Sequence, residues 1–218
     1  MELTYLGHSS FMVTANNGTR FQFDPYDPGG YDGALNFSVN PDPVAFAIVS
    51  HDHPDHNGVH TLPGNPKVIK GAGEHRADGL VFHGVACWHD TSHGADRGPN
   101  TIFAVTVDGI RLCHLGDLGH LLSSDLVAAI GAVDVLLVPV GGHFTIGPAE
   151  ADQVIAALAP RVVVPMHFKH PRVNFPIGTL DDFLAGKKSV KRLGGSSVSL
   201  SPSALPTARE YWLLDPAL

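Results

Sequence analysis

The chain alternates short apolar runs with turn-forming residues, a pattern typical of β-strands rather than of long helices. In its first part, residues 3–6, 10–14 and 20–23 each predict a strand, and the apolar run at 45–49 predicts a fourth. The sequence NNG at residues 16–18 separates the second run from the third. Because Asn and Gly tolerate positive φ, this segment predicts a hairpin turn.

A second series of strands is predicted to begin near Val81. It ends in several apolar runs long enough to be buried on both faces, which is typical of central strands. Asp108 and Gly109 form a second hairpin signal inside this series. The predicted strands are residues 80–89, 101–107, 110–114, 133–140, 161–167, 196–202 and 211–214.

Three short helices are predicted between these later strands. Ser123 or Ser124 is placed to cap a helix that runs to about residue 130. Residues 147–160 show the apolar spacing of a helix and finish at a proline. Thr179 is placed to cap a third helix, with acidic residues in its first turn. Strands with interspersed helices indicate an α/β domain.

The two parts of the chain resemble each other faintly. Each runs from a strand and a histidine through a glycine turn to a strand ending near an aspartate, then to an apolar strand ending near a histidine. A duplication would give two similar sheets whose polar strand ends meet at one rim. Coincidence is the alternative, because strands often end in polar loops. We predict one domain spanning residues 1–218.

Composition narrows the function classes. The chain has 218 residues, 44% of them hydrophobic and 16% charged, with a net charge of −7 and no basic stripe. This balance argues against nucleic-acid binding. No apolar run approaches the length of a membrane span, and the first residues lack the pattern of a signal peptide. With only Cys87 and Cys113, a disulfide framework is also excluded. We therefore expect a cytoplasmic protein with free thiols.

Histidine is unusually frequent, with 14 residues, and it clusters where predicted strands end. The densest segment is HDHPDH at 51–56, directly after an apolar strand. His51 and His53 are two residues apart, so in extended chain their side chains point the same way. Asp55 and His56 follow the turn forced by Pro54. Imidazole suits zinc or iron, and carboxylate also suits manganese. The segment predicts a metal site; a polar turn with incidental histidines is the alternative.

The pattern H-x-H-x-D-H is also the signature of the metallo-β-lactamase-fold hydrolases, and this chain resembles them in further segments. The family order is an early Asp, the histidine motif, a lone His, a bridging Asp and a final His. The phrases LGHSSF, HLGDLGH, LLVPVGGHFTIGP and VVVPMHFK look most like the branch that contains the ascorbate-phosphate lactonase. The resemblance extends from about residue 3 to residue 167. It implies an α/β, four-layer αββα sandwich of two mixed β-sheets flanked by helices.

The resemblance also implies a ligand set for two divalent metal ions, with zinc as the first expectation and manganese or iron as alternatives. In this set Asp117 bridges the two ions, and Asp55 also carries a proton during catalysis. The implied ligands are His51, His53 and His89 for the first ion, and Asp55, His56 and His167 for the second.

For four other polar residues on the predicted rim, the sequence leaves two alternative roles each. Asp24 matches the family's early aspartate, which implies that it orients a ligand; a simple turn residue is the alternative. His8 and His143 lie at strand ends and would either contact substrate or make structural hydrogen bonds. His93 competes with His89 as the third ligand of the first ion. We favour His89, because it ends a strand whose backbone is held by the sheet.

These features predict a metal-dependent hydrolase that acts on a small-molecule ester, lactone or phosphoester. Two alternatives use the same residues: an iron-dependent oxidative enzyme similar to a persulfide dioxygenase, and a metal- or ligand-binding protein without activity. Fold alone does not decide among them. We expect a small-molecule substrate, no nucleic-acid or membrane partner, and leave homo-oligomerisation open.

Overall fold

A computed structural model describes all residues, 1–218, and contains two β-sheets packed face to face. The space between them is filled by a cluster of 44 buried residues drawn from both sheets. Large apolar side chains such as Phe11, Phe82 and Phe103 are fully buried in it. The two mixed sheets that the family resemblance implies are therefore confirmed.

The first sheet has six strands in the order β13-β1-β2-β3-β4-β5. β1, β2 and β3 are antiparallel neighbours, and the predicted hairpin at residues 16–18 joins the last two. β4 and β5 then add in parallel. The strands are β1 (Glu2–Gly7), β2 (Ser10–Thr14), β3 (Arg20–Phe23), β4 (Phe46–Val49), β5 (Lys67–Lys70) and β13 (Ser197–Ser199).

The second sheet has eight strands in the order β12-β14-β11-β10-β9-β8-β7-β6. Its middle strands β10 and β11 are buried at every position and run parallel, as their continuous apolar sequences predict. The strands are β6 (Gly73–Ala77), β7 (Leu80–Trp88), β8 (Pro99–Val107), β9 (Ile110–His114), β10 (Val135–Pro139), β11 (Val162–Met166), β12 (Val190–Arg192) and β14 (Glu210–Leu213).

Three strands were not predicted: β5, β6 and β12. All three lie at the edges of their sheets. An edge strand is solvated along one side and needs few apolar residues, so its sequence carries little signal. In KVIK of β5, only Ile69 is buried. The predicted start of the second series near Val81 was therefore too late, because β6 precedes it.

Three α-helices are present, at the predicted places: α1 (Ser124–Ile130), α2 (Pro148–Leu158) and α3 (Leu180–Leu184). Ser123, rather than Ser124, caps α1 by accepting a hydrogen bond from the N–H of Leu126. Thr179 caps α3 through a reciprocal pair of hydrogen bonds with Asp182. α1 packs against β7 and β8, and α2 packs against β10. None of the helices combines the length and apolar character needed to cross a membrane.

The polar ends of the parallel strands converge on one rim between the sheets. β3 and β4 run in parallel in one sheet, and β9, β10 and β11 run in parallel in the other. The carboxyl ends of parallel strands meet at one edge, where α/β proteins usually place their binding sites. The chain continues from these ends into the histidine- and aspartate-bearing loops.

Candidate metal centre

Seven side chains predicted as metal ligands come together at this rim. The loop that follows β4 carries four of them, and three more follow the ends of β7, β9 and β11. Nearly all are buried, although each follows a strand end where a loop would usually be solvated. The side chains are His51, His53, Asp55 and His56 from the first loop, with His89, Asp117 and His167 from the others.

The carboxylate of Asp117 is the centre of this cluster. Its Oδ2 lies 3.2 Å from Nε2 of His56, 3.2 Å from Nε2 of His89 and 3.3 Å from Nε2 of His167. His51 Nε2 is 3.9 Å away. A carboxylate oxygen surrounded by imidazoles from separate segments of the chain is placed as a bridging ligand would be.

The donor atoms form overlapping groups, within each of which the atoms lie no more than 4.8 Å apart. The first group is His51, His53 and His89, and it corresponds to the ligands predicted for the first ion. The second group is His8, Asp55, His56 and His167, and it corresponds to the ligands predicted for the second ion with His8 added. A third group, Asp117 with His51 and His56, shares one histidine with each of the other two and so links them.

Several buried polar atoms of the cluster have no hydrogen-bond partner. A buried polar atom left without a partner costs about 1–3 kcal/mol, and native proteins contain few of them. Their concentration here indicates a site that a ligand completes, and imidazole nitrogen with carboxylate oxygen fits a divalent cation. The atoms are His8 Nδ1, Asp55 Oδ1, His56 Nε2, His89 Nδ1, Asp117 Oδ1 and His167 Nδ1.

Asp24 holds part of the cluster in position. One of its oxygens, Oδ2, accepts a hydrogen bond from His56 Nδ1 at 2.7 Å. Its two oxygens also accept from the backbone N–H and the hydroxyl of Ser50, at 2.8 and 2.6 Å. Because a carboxylate can only accept, Nδ1 of His56 carries a proton and Nε2 is the atom left to bind a metal. The predicted orienting role matches this geometry.

Electrostatics prepare the cluster for a cation. Burial opposes the charge of Asp117, but electrostatic interactions with the imidazoles of His167, His56 and His89 hold the pKa of Asp117 well below its usual range. Burial also opposes a proton on His56, yet Asp117 and the other carboxylates raise the pKa of His56 well above its usual value. Burial lowers the pKa of His51 to about 3. A bound cation would take the place of the His56 proton, so binding should weaken in acid.

His8 lies inside the cluster rather than on a substrate-facing surface. Its Nε2 is 3.1 Å from Asp55 Oδ2, and its ring lies 4.3 Å from that of His167. The residue follows β1 in a tight turn with a φ of 53°, which folds the side chain inward. Sequence spacing gave no sign of this, because the turn brings together residues that are distant in the chain.

The structure separates the two competing histidines after β7. His89 is buried beside Asp117, whereas His93 is exposed and packs its ring near Trp88. His93 lies in a different cleft from the cluster. His143 was expected on the same rim, but it is exposed and lines a neighbouring cleft, because its φ of 62° turns it away after β10.

A cavity of about 210 Å³ opens onto the cluster. Five of its lining residues belong to the cluster: His53, Asp55, His89, Asp117 and His167. The other four were missed by sequence reasoning: Tyr31, Arg97, Phe144 and Phe175. Tyr31 lies in a short 3-10 turn and the other three in irregular loops, where no periodic pattern marks a residue as facing a site.

Comparison with known proteins agrees with this geometry. The family described as "Beta-lactamase superfamily domain" matches residues 2–167. A UPF0173 metal-dependent hydrolase of Pyrococcus furiosus is 31% identical over 196 residues, covering 77% of this chain and 84% of its own. A crystal structure from Thermotoga maritima, assigned as a Zn-dependent hydrolase of the metallo-β-lactamase superfamily, is 34% identical with a TM-score of 0.81, covering 98% of this chain and 97% of its own.

A more distant structure shows only the fold. CmlA, a diiron β-hydroxylase from Streptomyces venezuelae, is 14% identical with a TM-score of 0.55, covering 79% of this chain and 46% of its own.

The likeness to the ascorbate-phosphate lactonase branch stays a prediction. The family match covers most of the chain and includes every residue of the cluster, so the chain belongs to the β-lactamase superfamily, among the UPF0173 metal-dependent hydrolases.

Proposed function

We propose that this protein is a hydrolase that holds two divalent cations in the Asp117 cluster and cleaves a small ester, lactone or phosphoester. The observation that carries the proposal is the convergence of buried imidazole and carboxylate atoms, several without partners, on one carboxylate at the floor of a cavity. The hydrolase names of the relatives from Pyrococcus and Thermotoga support it.

The residues divide into two sets around Asp117. Members of both sets lie within 3.3 Å of Asp117 Oδ2, so each set would hold one cation with Asp117 shared between them. The first set is His51, His53 and His89, and the second is Asp55, His56 and His167. Nitrogen-rich donors favour zinc, although the carboxylates also admit manganese or iron.

Cations held by this donor set would lower the pKa of a water toward neutrality and would polarise the oxygen of an ester or phosphoester. The Asp55 carboxylate faces the cavity, and its Oδ1 has no hydrogen-bond partner. We assign to the Asp55 carboxylate, besides its place in the second set, the proton taken up as water attacks and passed on to the leaving oxygen. His8 Nε2 holds the other oxygen of Asp55 at 3.1 Å, which fixes the direction in which Oδ1 points.

The test combines metal content with turnover. Purified protein is reconstituted with zinc, manganese or iron, its metal content is measured by mass spectrometry, and it is assayed on a panel of esters, lactones and phosphoesters. We expect about two ions per chain and hydrolysis of at least one class. In Asp117→Ala, the affinity for both ions should fall and the rate of hydrolysis should fall about a hundredfold or more. Circular dichroism should show that the fold is intact.

Two outcomes would contradict the proposal. If no tightly bound metal is found under any reconstitution, the proposed metal site is wrong. If Asp117→Ala keeps full activity, Asp117 is not the central ligand of the site. Oxygen consumption by the iron-loaded protein, without hydrolysis of any panel member, would instead favour the oxidative alternative.

A further inference from the structure

Arg97 lines the same cavity as the metal cluster, and its guanidinium makes no ion pair or hydrogen bond. Its one hydrogen bond is made by the backbone N–H and not by the guanidinium. Every other arginine pairs with a carboxylate or donates to a carbonyl: Arg20, Arg76, Arg111, Arg161, Arg172, Arg192 and Arg209. A half-buried guanidinium with free donors beside a cavity is available for a ligand.

The loop after β7 fixes the position of Arg97. Asp90 follows the cluster residue His89 and is buried, and its two oxygens accept four backbone N–H groups. Those of Ser92 and Gly94 lie at 2.8 Å from Oδ1, and those of Asp96 and Arg97 at 3.1 and 2.7 Å from Oδ2. These four hydrogen bonds fix the shape of the loop and therefore the position of the Arg97 backbone.

A row of aromatic rings leads from Arg97 across the cavity wall. The guanidinium carbon lies 5.7 Å from the centre of the Phe144 ring. Phe144 lies 5.9 Å from Phe175, which lies 5.6 Å from Tyr31. These rings give the organic body of a ligand an apolar surface, and the arginine gives its end a cation. A ligand that uses both has an anionic group attached to a compact apolar or planar body.

The charges on the two sides of the cavity agree with this preference. The chain as a whole carries −7, but the only carboxylates that line this cavity are Asp55 and Asp117. Both belong to the cluster that is proposed to hold two divalent cations, whose combined charge would exceed theirs. With the cations bound, the cavity would be positive although the protein is negative, a field that attracts anions.

We propose that Arg97 binds an oxyanion of the substrate, a carboxylate or a phosphate, at the end of the cavity away from the bond that is cleaved. The cavity, at about 210 Å³, is smaller than most ligand pockets, so the part of the substrate that lies between Arg97 and the cluster is compact. The inference rests on the proposed function for the reaction, but the recognition of the anion is independent of it.

The experiment measures binding without turnover. Isothermal titration calorimetry on metal-loaded protein compares benzoate, phenylphosphonate and neutral benzamide, which share one ring. The variants are Arg97→Gln, Arg97→Lys and the control Arg76→Gln. Arg76 is exposed on β6 and pairs with Glu74 at 2.7 Å, so its replacement removes the same charge far from the cavity lining.

We expect Arg97→Gln to lose about tenfold or more in affinity for at least one anion, because the charge-assisted hydrogen bonds of the guanidinium are lost. Benzamide affinity should stay unchanged. Arg97→Lys should fall between, since lysine keeps the charge without the planar fork. The anion with the larger loss identifies carboxylate or phosphate as the natural group. Arg76→Gln should bind like wild type.

Anion affinity that is unchanged in Arg97→Gln, or equally reduced in Arg76→Gln, would overturn the inference. Wild-type protein that binds neither anion more tightly than benzamide would overturn it as well. If Arg97-dependent binding is found but no ester, lactone or phosphoester is cleaved, the proposed function fails while the anion site stands. If hydrolysis is found without Arg97-dependent binding, the anion site fails while the proposed function stands.

Discussion

Replacement of Asp24 by asparagine should weaken metal binding without any change in a proposed ligand. Asp24 accepts from His56 Nδ1 at 2.7 Å and from the hydroxyl and N–H of Ser50 at 2.6 and 2.8 Å. Asparagine keeps the size of the side chain but offers one oxygen and one donor group. If the backbone of Ser50 retains the oxygen, the new amide N–H₂ faces His56 Nδ1. The imidazole then keeps its proton on Nε2, the atom that faces Asp117.

The magnitude follows from this change of tautomer. Loss of a partner that orients a metal-binding histidine typically costs about 10–100-fold in metal affinity. That corresponds to about 1.4–2.8 kcal/mol. Because His56 belongs to only one of the two ligand sets, we expect the loss on one ion and a smaller effect on the other.

Competition with a chelator of known affinity gives the two zinc dissociation constants for wild type and Asp24→Asn. The matched control is Asp52→Asn in the loop after β4. Asp52 is exposed and pairs with Lys70 at 2.7 Å, so this variant should bind zinc like wild type. Asp24→Asn with both dissociation constants within twofold of wild type would refute the idea that Asp24 sets the His56 tautomer.

Three further changes test other parts of the account. His89→Ala should release one ion while His93→Ala keeps both, as measured by metal content; the opposite result would show that His93 is the ligand. Gly119→Ala should lower stability in urea by about 1–3 kcal/mol or more, because the added Cβ would lie 2.2 Å from the backbone carbon of His89, whereas Gly195→Ala meets nothing and should be neutral. Burial lowers the pKa of His8 to about 4, so the metal-free native state resists protonation of this residue. The unfolded chain binds that proton near pH 6.5, so the stability advantage of wild type over His8→Gln should shrink as the pH falls from about 6.5 to 4. Urea unfolding that shows a growing advantage in acid would contradict this prediction.

The strands that could be predicted are those in which the apolar pattern decides burial. β10 and β11 were clear because each position is buried, and β3 because a hairpin signal precedes it. β5 and β6 were missed because edge strands are mostly exposed and read as loop. The sequence pattern reports contact with the core, so elements that hardly touch the core leave little trace in it.

The residues of the candidate site also fall into those that could be located from sequence and those that could not. The HDHPDH segment needs only local spacing, and His89 needs only the end of β7, so both could be located from sequence. The inward turn of His8 depends on a positive φ and on the meeting of two distant segments. Arg97 depends on how Asp90 ties its loop. Such placements result from tertiary structure and have no periodic signature.

The measurement that tests the central claim most directly is anomalous diffraction at the zinc edge from crystals of zinc-loaded protein. We predict two peaks, one on each side of the Asp117 carboxylate. The first should be in contact with His51, His53 and His89, and the second with Asp55, His56 and His167. A map with no peak at this rim, or with a single peak that Asp117 does not contact, would contradict the account.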